Sequence, residues 1–179
     1  GILMASTWDP DLVGRCAAAV AKEAKAFNVS MVLGPNLNIH RNPLGGRIFE
    51  SYGEDPYLAG RIAVGYVQGM QAEDVAADVK HFAANNQETN RQRIEEHIPE
   101  RALREIYLPA FRDAVEEGGV WTVMSAYNKI NGHDCAMNPW LLTDLLRGEW
   151  GFEGFVVSDW GAAYDRIEAL KAGNDLEMP

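Results

Sequence analysis

Gly154-Phe155-Val156-Val157-Ser158-Asp159-Trp160-Gly161 is the stretch on which the fold turns. A short apolar run rich in β-branched and aromatic residues predicts a strand, and its lack of alternation predicts burial on both faces. The run ends abruptly on Ser158, Asp159 and Trp160. An ionised carboxylate at the end of a buried strand needs partners or a task. Position alone leaves two readings for Asp159 open. It caps a helix beginning near Gly161, or it belongs to a site at the strand end.

Outward from this stretch, short apolar runs alternate with helix-length amphipathic ones. Ile2–Ala5, 29–33, 75–82, 120–126, 154–158 and 175–178 read as strand candidates. Helices are expected over 9–27, with Thr7 or Asp9 as N-cap and Pro10 in the first turn, and over 55–73, 99–117, 139–149 and 162–172. A polar loop over 36–54 is longer than ordinary connections, which marks it as functional. A second polar loop follows Phe82, and a third contains Asn131-Gly132. Buried strands alternating with helices imply a parallel sheet.

An open doubly wound sheet and a closed barrel both satisfy that alternation. Polar residues fall at the C-terminal ends of several strands: Lys80-His81, Ser125-Ala126-Tyr127 and Ser158-Asp159-Trp160. A barrel gathers such ends at one mouth, whereas an open sheet concentrates ligand groups at a single switch point. No Gly-x-Gly-x-x-Gly or phosphate loop follows any strand. The expected fold is therefore an α/β, (β/α)8 TIM-barrel-like domain over residues 1–179. With about six strand candidates it is incomplete at the N-terminus.

Each polar residue has a plain reading beside its functional one. Trp160 packs in the core, or forms an apolar wall of the kind on which a sugar ring stacks. Lys80 snorkels, donates to hydroxyls, or forms a Schiff base; His81 is a satisfied core histidine or a ligand contact. Tyr127 is core or a hydroxyl donor to a carboxylate, and Arg47 is a surface cation or a fork gripping a diol. Their convergence from separate strand ends and one long loop favours a site. Glu88 reads as a solvated or Arg91-paired carboxylate rather than an acid. His40, His97 and His133 lack metal-ligand spacing and read as loop or surface residues, and no metal or cofactor is expected.

Composition narrows the classes. At 47% apolar, 23% charged and a formal net charge of -10, the chain resembles no nucleic-acid binder. No apolar run reaches the length of a membrane span. Cys16 reads as a small buried residue in an Ala-rich helix, and Cys16 with Cys135 makes no disulfide framework. Asn28-Val29-Ser30 is a sequon only if the protein is secreted, so compartment and oligomeric state stay open.

Ordered motifs along the chain resemble glycoside hydrolase family 3, the barrel domain of its β-glucosidase branch. They are Ala5-Ser6-Thr7-Trp8-Asp9, Leu33-Gly34-Pro35-Asn36, Gly46-Arg47-Ile48-Phe49-Glu50, Gly53-Glu54-Asp55-Pro56 and Lys80-His81-Phe82-Ala83-Ala84-Asn85-Asn86. Val123-Met124-Ser125-Ala126-Tyr127-Asn128, Trp150-Gly151-Phe152 and Val157-Ser158-Asp159-Trp160-Gly161 continue the likeness. The resemblance implies a retaining β-glycosidase with Asp159 as nucleophile, with Arg47, Lys80 and His81 holding sugar hydroxyls. Tyr127 would stand beside the nucleophile and Trp160 would form a wall. The partner would be a small-molecule or oligosaccharide β-glycoside. It also implies a further substrate-binding Asp from a strand ahead of Gly1, and an acid/base carboxylate from an α/β sandwich domain after the barrel. On that reading the isolated chain is inactive. Ala83-Ala84-Asn85-Asn86 stands where the N-acetylglucosaminidase branch carries a His in a Gly-rich loop, which argues against that branch. β-Xylosidase activity, a Lys80 Schiff-base aldolase or lyase, and a non-catalytic sugar-binding barrel are the competing readings.

Overall fold

The computed structural model describes residues 1–179. The chain opens with a short helix α1 (Ile2–Ala5) and continues through α2 (Pro10–Ala26), strand β1 (Met31–Val32) and α3 (Pro56–Gln71). It then runs through β2 (Ala76–Phe82), β3 (Glu95–Glu96), α4 (Glu100–Ala102), α5 (Pro109–Glu116), β4 (Thr122–Ser125), the hairpin β5 (Lys129–Ile130) and β6 (His133–Asp134), β7 (Phe155–Ser158) and α6 (Arg166–Ala172). Asp9, not Thr7, caps α2 by accepting from the Leu12 N–H at 2.9 Å. Asp55 caps α3 and Asp165 caps α6 in the same way, each satisfying N–H groups that a helix start leaves without partners.

The main sheet is parallel, with strand order β1-β2-β4-β7. Each new strand joins the same advancing edge, as barrel staves do, and the order never reverses. A doubly wound sheet would reverse at its switch point. Leu176 continues the advance by a single parallel bridge to Val157. Helices α2, α3 and α5 pack together on one face of the sheet, and Phe82, Val79, Val123 and Val156 from the strands join Phe111, Met70 and Leu145 in one continuous core.

Several elements depart from the sequence reading. Ile2–Ala5 is helical rather than extended, an ambiguity that apolar runs of this length carry. The expected 175–178 strand is only the Leu176 bridge, and the 162–172 helix starts four residues late, at Arg166 behind its Asp165 cap. The 99–117 helix is interrupted by a π-helical turn over Leu103–Tyr107, and the Leu108 N–H reaches the Leu103 carbonyl at 2.9 Å. Pro109 explains the break, because its ring has no N–H and crowds the preceding turn. Trp140–Glu149 is likewise π-helical. The Asn131-Gly132 loop is the tight turn of a hairpin, with φ of 49° and 91° at the two residues. Positive φ at both is what a two-residue hairpin turn demands. Cys16 faces solvent, since Val13, Ala17 and Ala21 form the buried stripe of α2. His40 lies in a loop, as expected, but is half-buried, with its Nε2 buried and without a partner.

Candidate active site

Parallel register sets the strand ends level. Phe82 pairs with Ser125, and Ser125 with Ser158, so the residues that follow them emerge together at one mouth. The ladder runs one step further on each side. The Ala126 N–H donates to the Phe82 carbonyl at 2.8 Å, and the Asp159 N–H to the Ser125 carbonyl at 3.1 Å. Lys80 and His81 therefore come from β2, Tyr127 from the end of β4 and Asp159 from the end of β7. Arg47 reaches the same mouth from the loop between β1 and α3. The structure thus brings Arg47, Lys80, His81, Tyr127 and Asp159 to one end of the sheet, with Trp160 directly after Asp159.

Asp159 is 7% exposed. Its Oδ1 accepts from the Trp160 N–H at 2.8 Å, while its Oδ2 is buried with no hydrogen-bond partner. It does not cap α6, which has its own Asp165. The nearest cationisable neighbour is His81, whose Nε2 lies 3.7 Å from Oδ2. His81 is itself held by Asn38, whose Oδ1 lies 3.0 Å from both its backbone N and its Nδ1. Asn38 Nδ2 donates to the His81 carbonyl at 2.8 Å, which fixes the amide orientation. With Nδ1 as the donor to Asn38, a neutral His81 presents Nε2 as an acceptor. Burial, reinforced by Arg47, Lys80 and Arg91, lowers the His81 pKa well below the usual imidazole range and keeps it neutral. Two acceptors, Nε2 and Oδ2, then lie 3.7 Å apart with no donor between them.

A second cluster flanks the first. Glu50 accepts from Arg47 Nε at 3.0 Å and Nη2 at 2.9 Å, the bidentate fork suited to a carboxylate, and stands 3.8 Å from Lys80 Nζ. Burial works against the Glu50 charge, yet the hydrogen bonds and charge of Arg47, with Lys80, bring its pKa below the ordinary value. Burial and the repulsion of Arg47 lower the Lys80 pKa, against the pull of Glu50, Asp159 and Asp78. Tyr127, buried beside Asp159, is pushed up to about 12, first by burial and then by that carboxylate's charge. Its ring lies under the guanidinium of Arg91, whose carbon is 4.9 Å from the ring centroid. Trp160 is 42% exposed and stands at the rim rather than in the core. Glu88 pairs with Arg91 at 2.7 Å.

Sequence reasoning did not single out Glu50, Asn38 and Asp78 as candidates. Glu50 lay three residues from Arg47 in the long loop, a spacing that could have suggested a pair. Asn38 had no signal, because its contact with His81 spans 43 residues. Asp78 interrupts an apolar run two residues before Lys80, and it was legible as a buried charge. It is wholly buried, with neither oxygen hydrogen-bonded.

Comparison with known proteins fits this geometry. The chain is 54% identical over 176 residues to an exo-α-(1→6)-L-arabinopyranosidase of Bifidobacterium longum, covering 98% of this chain and 23% of the relative. It is 52% identical to the thermostable β-glucosidase B of Acetivibrio thermocellus, again over 98% of this chain and 23% of the relative. Among solved structures, β-glucosidase 3B from Thermotoga neapolitana in complex with glucose superposes with a TM-score of 0.98 at 54% identity, over 99% of this chain and 25% of that one. The chain thus spans about a quarter of the length of these relatives. Its fold is that of a TIM-barrel-like α/β domain. The model of the glycosyl hydrolase family 3 N terminal domain matches residues 1–179, and this chain belongs to that family.

Proposed function

We propose that this chain carries the nucleophile half of a retaining exo-β-glycosidase, with Asp159 attacking the anomeric carbon of a terminal β-linked glucosyl residue. The observation that carries this reading is the Asp159 carboxylate itself. It stands at the end of β7, anchored through Oδ1 to the Trp160 N–H, with His81 Nε2 3.7 Å from its second oxygen and no hydrogen bond neutralising that oxygen. Such anchoring holds a nucleophile in the orientation its reaction needs.

In the first step the Asp159 carboxylate bonds to the anomeric carbon while the glycosidic bond breaks, and an acid protonates the leaving oxygen. In the second, water attacks the glycosyl ester and regenerates the carboxylate. The acid must stand roughly 5–5.5 Å from the nucleophile. Glu88, in the loop after β2, is tied to Arg91 at 2.7 Å and to Asn85 at 3.4 Å. The resemblance to family 3 implies instead an acid/base carboxylate carried by an α/β sandwich domain. Arg47 and Lys80, both oriented by Glu50, together with His81 Nε2, offer two donors and one acceptor to sugar hydroxyls, and Trp160 offers an apolar wall at the rim. The polar mouth suits a neutral sugar, and a β-glycoside is the expected partner.

The relatives named β-glucosidase support glucose as the sugar. The relative named arabinopyranosidase, at 54% identity, supports a second reading in which the same machinery accepts an α-L-arabinopyranoside. Comparing kcat/KM for aryl β-glucoside and aryl α-L-arabinopyranoside decides between them. The mechanism is tested by incubating the complete protein with a 2-deoxy-2-fluoro-β-glucosyl fluoride and mapping the adduct. A mass increment on the peptide containing Asp159 is expected, and Asp159→Ala should lower turnover by several orders of magnitude. Trapping of a carbonyl substrate on Lys80 by borohydride, with Asp159 unmodified, would establish the Schiff-base reading instead.

A further inference from the structure

We propose that Arg91 is a positioning residue for this reaction, acting through Tyr127 by holding the phenol ring in the plane that aims its hydroxyl at the nucleophile. The inference rests on the reading of Asp159 as nucleophile and adds a group outside the strand ends. Arg91 lies in the polar loop after β2, whereas Tyr127 follows β4, so nothing in the local chain brings them together.

The guanidinium carbon sits 4.9 Å from the Tyr127 ring centroid, well inside the distance at which a cation is attracted by an aromatic face. Arg91 cannot swing freely, because its Nη1 donates to Glu88 Oε2 at 2.7 Å and its side chain is only about a third exposed. The loop is pinned on its other flank as well. Tyr164 Oη donates to the Gln92 carbonyl at 2.7 Å and stands 3.4 Å from the Tyr127 carbonyl. A tyrosine ring turns about two side-chain bonds, and a turn about either moves its hydroxyl off target. A planar cation stacked on one face, itself fixed by a carboxylate, restricts both. The ring is thereby held next to Asp159, because Tyr127 follows β4 where Asp159 follows the paired strand β7, with the Asp159 N–H on the Ser125 carbonyl at 3.1 Å. Arg91 does not itself touch the reacting atoms.

The experiment is a double-mutant cycle in the complete protein on an aryl β-glycoside. Arg91→Gln should lower kcat about tenfold or more, with the inhibition constant for the free sugar changed less than threefold. Arg91→Lys, which keeps the charge but loses the planar stack, should recover only part of the loss. In a Tyr127→Phe background, which retains the ring and removes the hydroxyl, Arg91→Gln should cost less than twofold more. Should Arg91→Gln fold poorly, Glu88→Gln tests the same linkage, with a smaller loss that also vanishes in the Tyr127→Phe background. Equal fold-losses in both backgrounds, or no loss at all, overturn the proposal. Failure of the fluoro sugar to label wild-type Asp159 would overturn the nucleophile assignment instead, so the two readings fail by different observations.

Discussion

The Glu50 carboxylate accepts both bonds of the Arg47 fork and stands 3.8 Å from the Lys80 ammonium, so one acid orients the two cations proposed to hold a sugar. Removing its charge leaves both cations free to drift while Asp159 stays in place. Glu50→Gln should therefore raise KM roughly tenfold, about 1.4 kcal/mol of binding, with a smaller change in kcat. Steady-state kinetics on an aryl glycoside check it, and a selective fall in kcat would contradict it. Asp78 is the opposite case, a carboxylate without partners. Burial raises its pKa to about 7 from the model-compound 3.8. A folded-state pKa above the unfolded one means the protonated form favours folding. That contribution is complete below the unfolded pKa of 3.8 and is lost as pH rises through about 7. Thermal melts of wild type and Asp78→Asn across this range should diverge with rising pH, the variant being the more stable near neutrality. Parallel curves would show that Asp78 is compensated.

At the level of elements, the helix layer depends on close backbone approach. A Cβ at Gly69 would collide with the Gly14 carbonyl of α2, and one at Gly65 with the Pro10 carbonyl. These small residues let α2 and α3 cross with their backbones nearly touching, which in turn sets α3 against β2 and its Lys80-His81 end. The obstructing atoms are backbone and cannot rotate away, so Gly69→Ala should destabilise by roughly 1–3 kcal/mol despite the better helix propensity of alanine. Gly148→Ala is the control, since a Cβ there meets only the Thr143 carbonyl at 3.4 Å. Urea midpoints of the two variants separate the effects, and equal midpoints would refute the close-packing argument.

At the level of the molecule, the parallel sheet presents Asp159, the proposed nucleophile, with Arg47, Lys80 and His81 nearby, but Glu88 is paired with Arg91. Purified residues 1–179 should therefore bind sugar weakly and hydrolyse an aryl β-glycoside at no more than background rate. Robust hydrolysis would place an overlooked acid within the chain, with Glu88→Gln as the next variant to assay.

Much of this was readable before any coordinates. Short apolar runs rich in β-branched residues and bounded by turn residues, as at 75–82, 120–126 and 154–158, favour buried strands. Asp, Lys, His and Tyr at the ends of such runs had to lie at one edge, because parallel strands align their C-termini. The helix starts at Asp9 (with Thr7 as the other candidate cap) and at Asp55-Pro56 were legible, since their hydrogen bonds are local. Hairpin strands of two residues, the π-helical turn before Pro109 and the outward face of Cys16 were not legible, because each depends on packing rather than periodicity. The roles of Asn38, Glu50 and Arg91 were decided only by tertiary structure. Asn38 meets a residue 43 positions away, and Arg91 one 36 away, across loops whose course no local propensity sets. The sequence by itself determined which groups the strands deliver to the mouth of this family 3 domain. The tertiary structure decided how those groups are aimed, because side-chain orientation depends on hydrogen bonds and stacking between loops that meet only in the folded chain.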